Sequence, residues 1–97
     1  MKIIKEQTIR AFYAKHPDAK DCLMSWLAIA RKASWKNPHE VQMDYPSADQ
    51  VGDQRMVFNV KGNKYRLVVR FSFQYKHVLI KWFGTYAEYD KIDVLKV

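Results

Sequence analysis

Apolar positions recur at helical spacing in the first half of the chain and alternate with polar ones in the second, which divides it into a helical half and a strand half. Met1 to Lys5, with Ile3 and Ile4 adjacent, reads as an edge strand, and Ile9, Phe12 and Tyr13 give Thr8 to Lys15 a helical face. Pro17 to Ser34 carries stronger signals. Pro17 suits a first helical position, Asp18 and Asp21 lie toward the positive end of the helix dipole, and Arg31 and Lys32 lie toward the negative end. Leu23, Trp26, Leu27 and Ala30 form one apolar stripe, expected to pack in the core. Trp35 to Asp53, which contains Pro38 and Pro46, reads as a long connection with a helical turn between Pro38 and Met43. Its expected role is to close over the sheet, with Trp35 and Tyr45 as anchors.

The strand half fixes a register. Arg55 to Lys61 alternates, Gly62-Asn63 supplies a two-residue turn with Gly where a type II′ hairpin requires it, and Lys64 to Phe73 alternates again. Lys61 then faces Lys64, Asn59 faces Arg66, Val57 faces Val68 and Arg55 faces Arg70 on one side of the ribbon. Met56, Phe58, Val60, Tyr65, Leu67, Val69 and Phe71 fall on the other side, the expected core face. His77 to Phe83 reads as a third strand. An even connecting loop puts Val78, Ile80 and Trp82 in the core and Lys81 beside Arg66 and Arg70, whereas an odd loop reverses this. Like charges opposite one another are mildly destabilising in a sheet, so the basic face calls either for an anionic partner or for side chains splayed into water.

Composition narrows the class. The chain has 97 residues, 48% of them hydrophobic, enough for one core, and is expected to form a single domain over 1–97. Cys22 has no partner for an internal disulfide, and the charged first residues leave no apolar run for a signal peptide or membrane helix. A soluble, cytoplasmic protein with no membrane association is expected. Seventeen Lys and Arg against ten Asp and Glu give a net charge of +7, which favours a polyanionic partner such as RNA, DNA or a ribosome, or an acidic protein.

His16, His39, His77 and Cys22 lie in different elements without short ligand spacing, so no metal site is expected. Gly52, Gly62 and Gly84 stand alone, and no Ser sits in a nucleophile elbow, which argues against NTP-driven and acyl-transfer chemistry. What remains is a set of cations and phenols: Arg66, Arg70 and Lys81 on the presumed sheet face, and Tyr86, Tyr89 and Lys91 just beyond the third strand. Such a set suits phosphodiester cleavage without metal, because attack by a 2′-hydroxyl builds negative charge that a fixed guanidinium stabilises. Phenols and ammonium groups titrate at about 10, so either needs neighbouring cations to serve as a base near neutrality. Packing at the end of the sheet is the alternative role for the two tyrosines.

The run Val57-Phe58-Asn59-Val60-Lys61-Gly62-Asn63-Lys64-Tyr65-Arg66-Leu67-Val68-Val69, followed by Gly84-Thr85-Tyr86-Ala87-Glu88-Tyr89-Asp90-Lys91-Ile92, resembles the HigB family of bacterial toxins. Trp35-Lys36-Asn37-Pro38 and Tyr45-Pro46-Ser47-Ala48 are also similar to it, so the resemblance spans roughly residues 16 to 93. It implies a RelE-like α+β fold, with N-terminal helices packed on one side of a mainly antiparallel sheet of three to four strands. It also implies a type II toxin that cleaves mRNA on the translating ribosome without metal or other cofactor. The implied partners are a HigA-like helix-turn-helix antitoxin, the ribosome and mRNA, with operator DNA reached only through the antitoxin.

Carried over by position, Arg66 is the expected phosphate clamp, and Tyr86, Tyr89 and Lys91 complete the catalytic set. Arg55, Lys61, Lys64, Arg70 and Lys81 are the expected RNA-binding cations. The family commonly has His where this chain has Tyr86, and imidazole titrates near neutrality whereas a phenol does not. Two rival readings use the same surface: a basic module that blocks the ribosome without cutting, and a toxin directed at DNA gyrase.

Overall fold

A computed structural model describes residues 1–97. In chain order the elements are β1 (Lys2–Ile4), α1 (Gln7–Lys15), a 3-10 turn (Pro17–Ala19), α2 (Lys20–Lys32), α3 (Pro38–Asp44), β2 (Asp49–Gly52), β3 (Arg55–Val60), β4 (Tyr65–Ser72), β5 (His77–Thr85) and α4 (Tyr86–Tyr89). The sheet order is β1-β5-β4-β3-β2; β1 runs parallel to β5 and every other pairing is antiparallel. The expected α+β class holds, with five strands rather than three to four. The additional strand is β2, inside the connection read from sequence as a loop. Asp49-Gln50-Val51-Gly52 has no apolar alternation to announce it, because only Val51 is even half-buried.

Helices α1 and α2 cover one face of the sheet. Their buried residues are Ile9 and the stripe Leu23, Trp26, Leu27 and Ala30, which pack with Met56, Phe58, Val60, Tyr65, Leu67, Val69 and Phe71 as the alternation requires. Phe58 is central: its ring lies 5.5 Å from Trp26, 5.2 Å from Tyr45 and 6.4 Å from Phe71. Such aromatic pairs add about 0.5–1.5 kcal/mol each beyond area burial. Trp35 is buried and its indole N–H donates to Asp44 Oδ2 at 2.8 Å, so the α3 segment is pinned over the core as expected. Asn37 caps α3 by accepting from the Glu40 amide, and Pro38 occupies its first turn.

The β3–β4 register is the expected one, with Arg55 opposite Arg70, Val57 opposite Val68 and Asn59 opposite Arg66. Gly62 has φ 65°, the positive value its turn position demands. Strand β5 departs from simple alternation. Val78 and Ile80 enter the core, but an irregularity opposite Val68 and Val69 leaves Lys81 without a partner and pairs Trp82 with Val68. The extra residue moves Trp82 to the outer face and gives its core place to Phe83.

The outer face is not an open basic ribbon. Val57 and Val68 are buried there, and Arg55 is only 6% exposed and bonded to the C-terminal segment. Arg55 Nη1 donates to the Val94 carbonyl at 3.0 Å and the Val97 carbonyl at 2.7 Å. No helix is long and apolar enough to cross a membrane.

Candidate active site

The candidate site lies on the outer face at the hairpin end of the sheet, where β5 passes into α4. Thr85-Tyr86-Ala87-Glu88 has the spacing of a capping box and forms one. The Glu88 amide donates to Thr85 Oγ1 at 3.2 Å, and the Thr85 amide donates to Glu88 Oε1 at 2.8 Å. Bonds from Thr85, its amide first and its side chain second, hold the Glu88 carboxyl below its ordinary pKa. The Tyr86 amide also donates to the Lys64 carbonyl at 3.1 Å, which ties the start of α4 to the β3–β4 hairpin. These bonds fix the backbone from which the Tyr86 ring projects.

That ring lies 4.8 Å from the Arg66 guanidinium carbon. Arg66 is 9% exposed, and its Nη1 donates to the carbonyls of Asn63 and Tyr65, each at 3.1 Å. The guanidinium is therefore fixed on one edge by backbone and on one face by an aromatic ring. Nε and Nη2 make no bond to a protein acceptor, so a forked donor remains for an anionic oxygen.

Gly84 is the cross-strand partner of Arg66, and Trp82 reaches forward over it. A Cβ at position 84 would lie 2.6 Å from Trp82 Cη2 and 2.9 Å from Glu88 Oε1. Tyr89 closes the cluster, its ring 6.2 Å from that of Trp82. Burial first, and the charge of Asp49 second, push the Tyr89 phenol above its ordinary pKa; Arg66 pulls it down more weakly, and Asp90 adds to the rise. At neutral pH Tyr89 is a protonated donor, and the cationic pull of Arg66, the kind a phenolic base needs, is outweighed by burial and Asp49.

The remaining sequence candidates disperse. Lys91 is exposed just after α4, its amide bonded to the Glu88 carbonyl. Lys61 is exposed on the hairpin, while Lys64 is ion-paired with Asp18, whose other oxygen accepts from the Tyr65 hydroxyl at 2.6 Å. Arg70 lies four residues from Arg66 on the same strand, about 13 Å away, and sits 3.5 Å from Asp53. Lys81 is half-buried at the β5 irregularity. Arg55 is committed to the C-terminal carbonyls and to Asp53 at 3.5 Å. Nowhere do three His, Cys, Asp or Glu side chains converge as a metal-holding group. Trp82, Gly84 and Glu88 were missing from the sequence-derived set; the Thr85-x-x-Glu88 spacing was the only one of these signals present in the sequence.

Residues 19–92 match the HigB toxin family, described as the RelE-like toxic component of a toxin-antitoxin system. The chain is 29% identical over 92 residues to the mRNA interferase toxin HigB of Escherichia coli (strain K12), covering 93% of this chain and 88% of that protein. The same identity and coverage hold for proteins named mRNA interferase HigB from Escherichia coli O157:H7 and Shigella flexneri. The chain belongs to the HigB family of RelE-like toxins, and as the toxic component of a toxin-antitoxin system it has an antitoxin as its partner.

Proposed function

We propose that this toxin is an endoribonuclease that cleaves mRNA on the translating ribosome and so arrests translation. The observation that carries the reading is Arg66: a guanidinium nearly withdrawn from water, held by two carbonyls and the Tyr86 ring, with Nε and Nη2 left to donate. When a 2′-hydroxyl attacks its own phosphate it loses its proton to a base, the P–O5′ bond breaks, and the 5′-oxygen leaves protonated from a 2′,3′-cyclic phosphate; negative charge develops meanwhile on the non-bridging oxygens. A preorganised donor pair in a water-poor site stabilises that charge at no cost in reorganisation. Tyr89, a phenol that burial pushes still further above its ordinary pKa, supports the same step as a donor. No metal or other cofactor is required by this chemistry.

The exposed cations around this end of the sheet, Lys61 and Lys91 foremost, supply the field that draws in RNA phosphates. Most of the substrate positioning belongs to the ribosome, which presents the mRNA strand to the shallow outer face. The setting is the cytoplasm. Neutralisation falls to a HigA-like helix-turn-helix antitoxin, through which alone the complex contacts operator DNA.

The test is transcript 5′-end mapping in cells after a brief pulse of expression. Wild-type protein is expected to generate new 5′ ends within translated regions, and Arg66→Ala protein of equal abundance to generate none. Growth arrest without new ends would refute the nuclease reading in favour of ribosome blockade, and a selective supercoiling defect would point to gyrase.

A further inference from the structure

Trp82 occupies a position that the packing of the fold does not require. The irregularity in β5 turns it out of the core, and Phe83 fills the core position instead, stacked 5.2 Å from Phe12 and 5.1 Å from Tyr65. On the outer face the indole lies half-buried, and its six-membered ring takes the volume that any side chain at position 84 would need. Gly84 in turn stands directly opposite Arg66. The absence of a side chain there brings the indole and the guanidinium onto neighbouring positions of one face. Tyr89, at 6.2 Å and tilted by 50°, supports the indole from the side of α4.

From this juxtaposition we infer that Trp82, seated over Gly84, is a stacking subsite for a nucleobase of single-stranded RNA, next to the phosphate held by Arg66. The inference rests on the reading of Arg66 as a phosphate clamp. Single-stranded RNA is held by the combination of backbone phosphate contacts and aromatic rings on which unpaired bases stack. An indole offers the largest such surface among side chains. Stacking is tolerant of base identity because every base has a π face, so this subsite holds a nucleotide in place rather than reading its sequence. The β5 irregularity decides which ring stands there: simple alternation would bury the indole with Ile80 and set Phe83, instead of Gly84, opposite Arg66.

The test is single-turnover cleavage of a defined mRNA on programmed ribosomes, with toxin titrated to saturation, for wild type, Trp82→Leu, Trp82→Phe and Arg66→Ala. Thermal unfolding of each protein accompanies the titration. Trp82→Leu keeps apolar volume and loses the π surface; the expected result is a half-saturating toxin concentration raised about 5- to 150-fold, the range for loss of one stacked base, with unfolding near that of wild type. Trp82→Phe is expected to recover most of this loss. Wild-type behaviour by Trp82→Leu, or loss of cleavage by both variants in step with lost stability, overturns the subsite. If Arg66→Ala is inactive while Trp82→Leu is unaffected, only the subsite fails; if wild-type protein does not cleave, the nuclease reading fails and the subsite with it.

Discussion

The Tyr86 ring covers the Arg66 guanidinium at 4.8 Å, although Tyr86 is itself 51% exposed and follows Arg66 by twenty residues. Two backbone features bring them together: the pairing of Arg66 with Gly84, and the bond from the Tyr86 amide to the Lys64 carbonyl. A ring in this position screens the cation from water while leaving its remaining donors open. The aromatic face accounts for this contact, and the hydroxyl plays no part in it. Tyr86→Phe is therefore expected to retain most cleavage activity and Tyr86→Ala to lose about 0.5–1 kcal/mol of cation–π stabilisation at Arg66, seen as a several-fold drop in rate. Tyr86→His is expected to introduce a pH dependence near 6.5 that the tyrosine protein lacks. Rate against pH for the three variants tests this; an inactive Tyr86→Phe would show that the hydroxyl transfers a proton.

Arg55 was expected among the RNA-binding cations, yet it is buried and bonded to the Val94 and Val97 carbonyls. Its role in the fold is to tie the C-terminal segment to β3. Arg55→Met is expected to cost about 1.5–3 kcal/mol of stability, the range for bonds to a charged donor. Hydrogen exchange is expected to rise over residues 90–97 in this variant. Unchanged exchange there would show that the segment is held by other contacts.

Asp18 joins the 3-10 turn to the hairpin by accepting from Lys64 and from the Tyr65 hydroxyl. These two bonds, the Lys64 one larger, lower its carboxyl from 3.8 to about 2. A depressed carboxylate pKa stabilises the fold above the unfolded value, and the contribution disappears as pH falls through the folded one. Between roughly pH 4 and pH 2 the Tm of the wild type is expected to fall more steeply than that of Asp18→Asn. Parallel curves would mean that Asp18 contributes nothing through its charge.

Gly84→Ala introduces a Cβ within 2.6 Å of the Trp82 ring and 2.9 Å of Glu88 Oε1. The indole or the capping box must give way. A loss of about 1–3 kcal/mol is expected, together with a changed near-ultraviolet signal from the displaced indole. An unaltered spectrum and Tm would contradict the close seating of Trp82 on Gly84.

The alternation of β3 and β4 made the core face legible residue by residue, and the Gly62-Asn63 turn fixed which residues oppose which. The helical stripe Leu23, Trp26, Leu27 and Ala30 was equally plain. Three features were hidden for physical reasons. Strand β2 is short and polar, so period-two patterning has nothing to mark. The extra residue in β5 is a backbone event without a Gly or Pro to signal it, and it reversed the placement of Trp82. The bonding of Arg55 to the Val94 and Val97 carbonyls is a long-range contact, and an alternating strand reads the same whether its second face meets water or returning chain. Register placed Arg66 on the outer face among other cations and the resemblance to the HigB family singled it out, but its fixed edge and aromatic cover emerge only from the tertiary structure.

The central claim is that Arg66 makes this toxin a nuclease, and primer extension on a defined mRNA tests it most directly, with purified protein in the presence and absence of programmed ribosomes. New 5′ ends are expected only with ribosomes present. Arg66→Lys and Arg66→Ala are expected to reduce their rate of appearance by about 10²–10³-fold or more, the cost of removing a preorganised oxyanion donor. Cleavage by a folded Arg66→Ala protein at the wild-type rate, or no cleavage by wild-type protein that still arrests translation, would contradict the account.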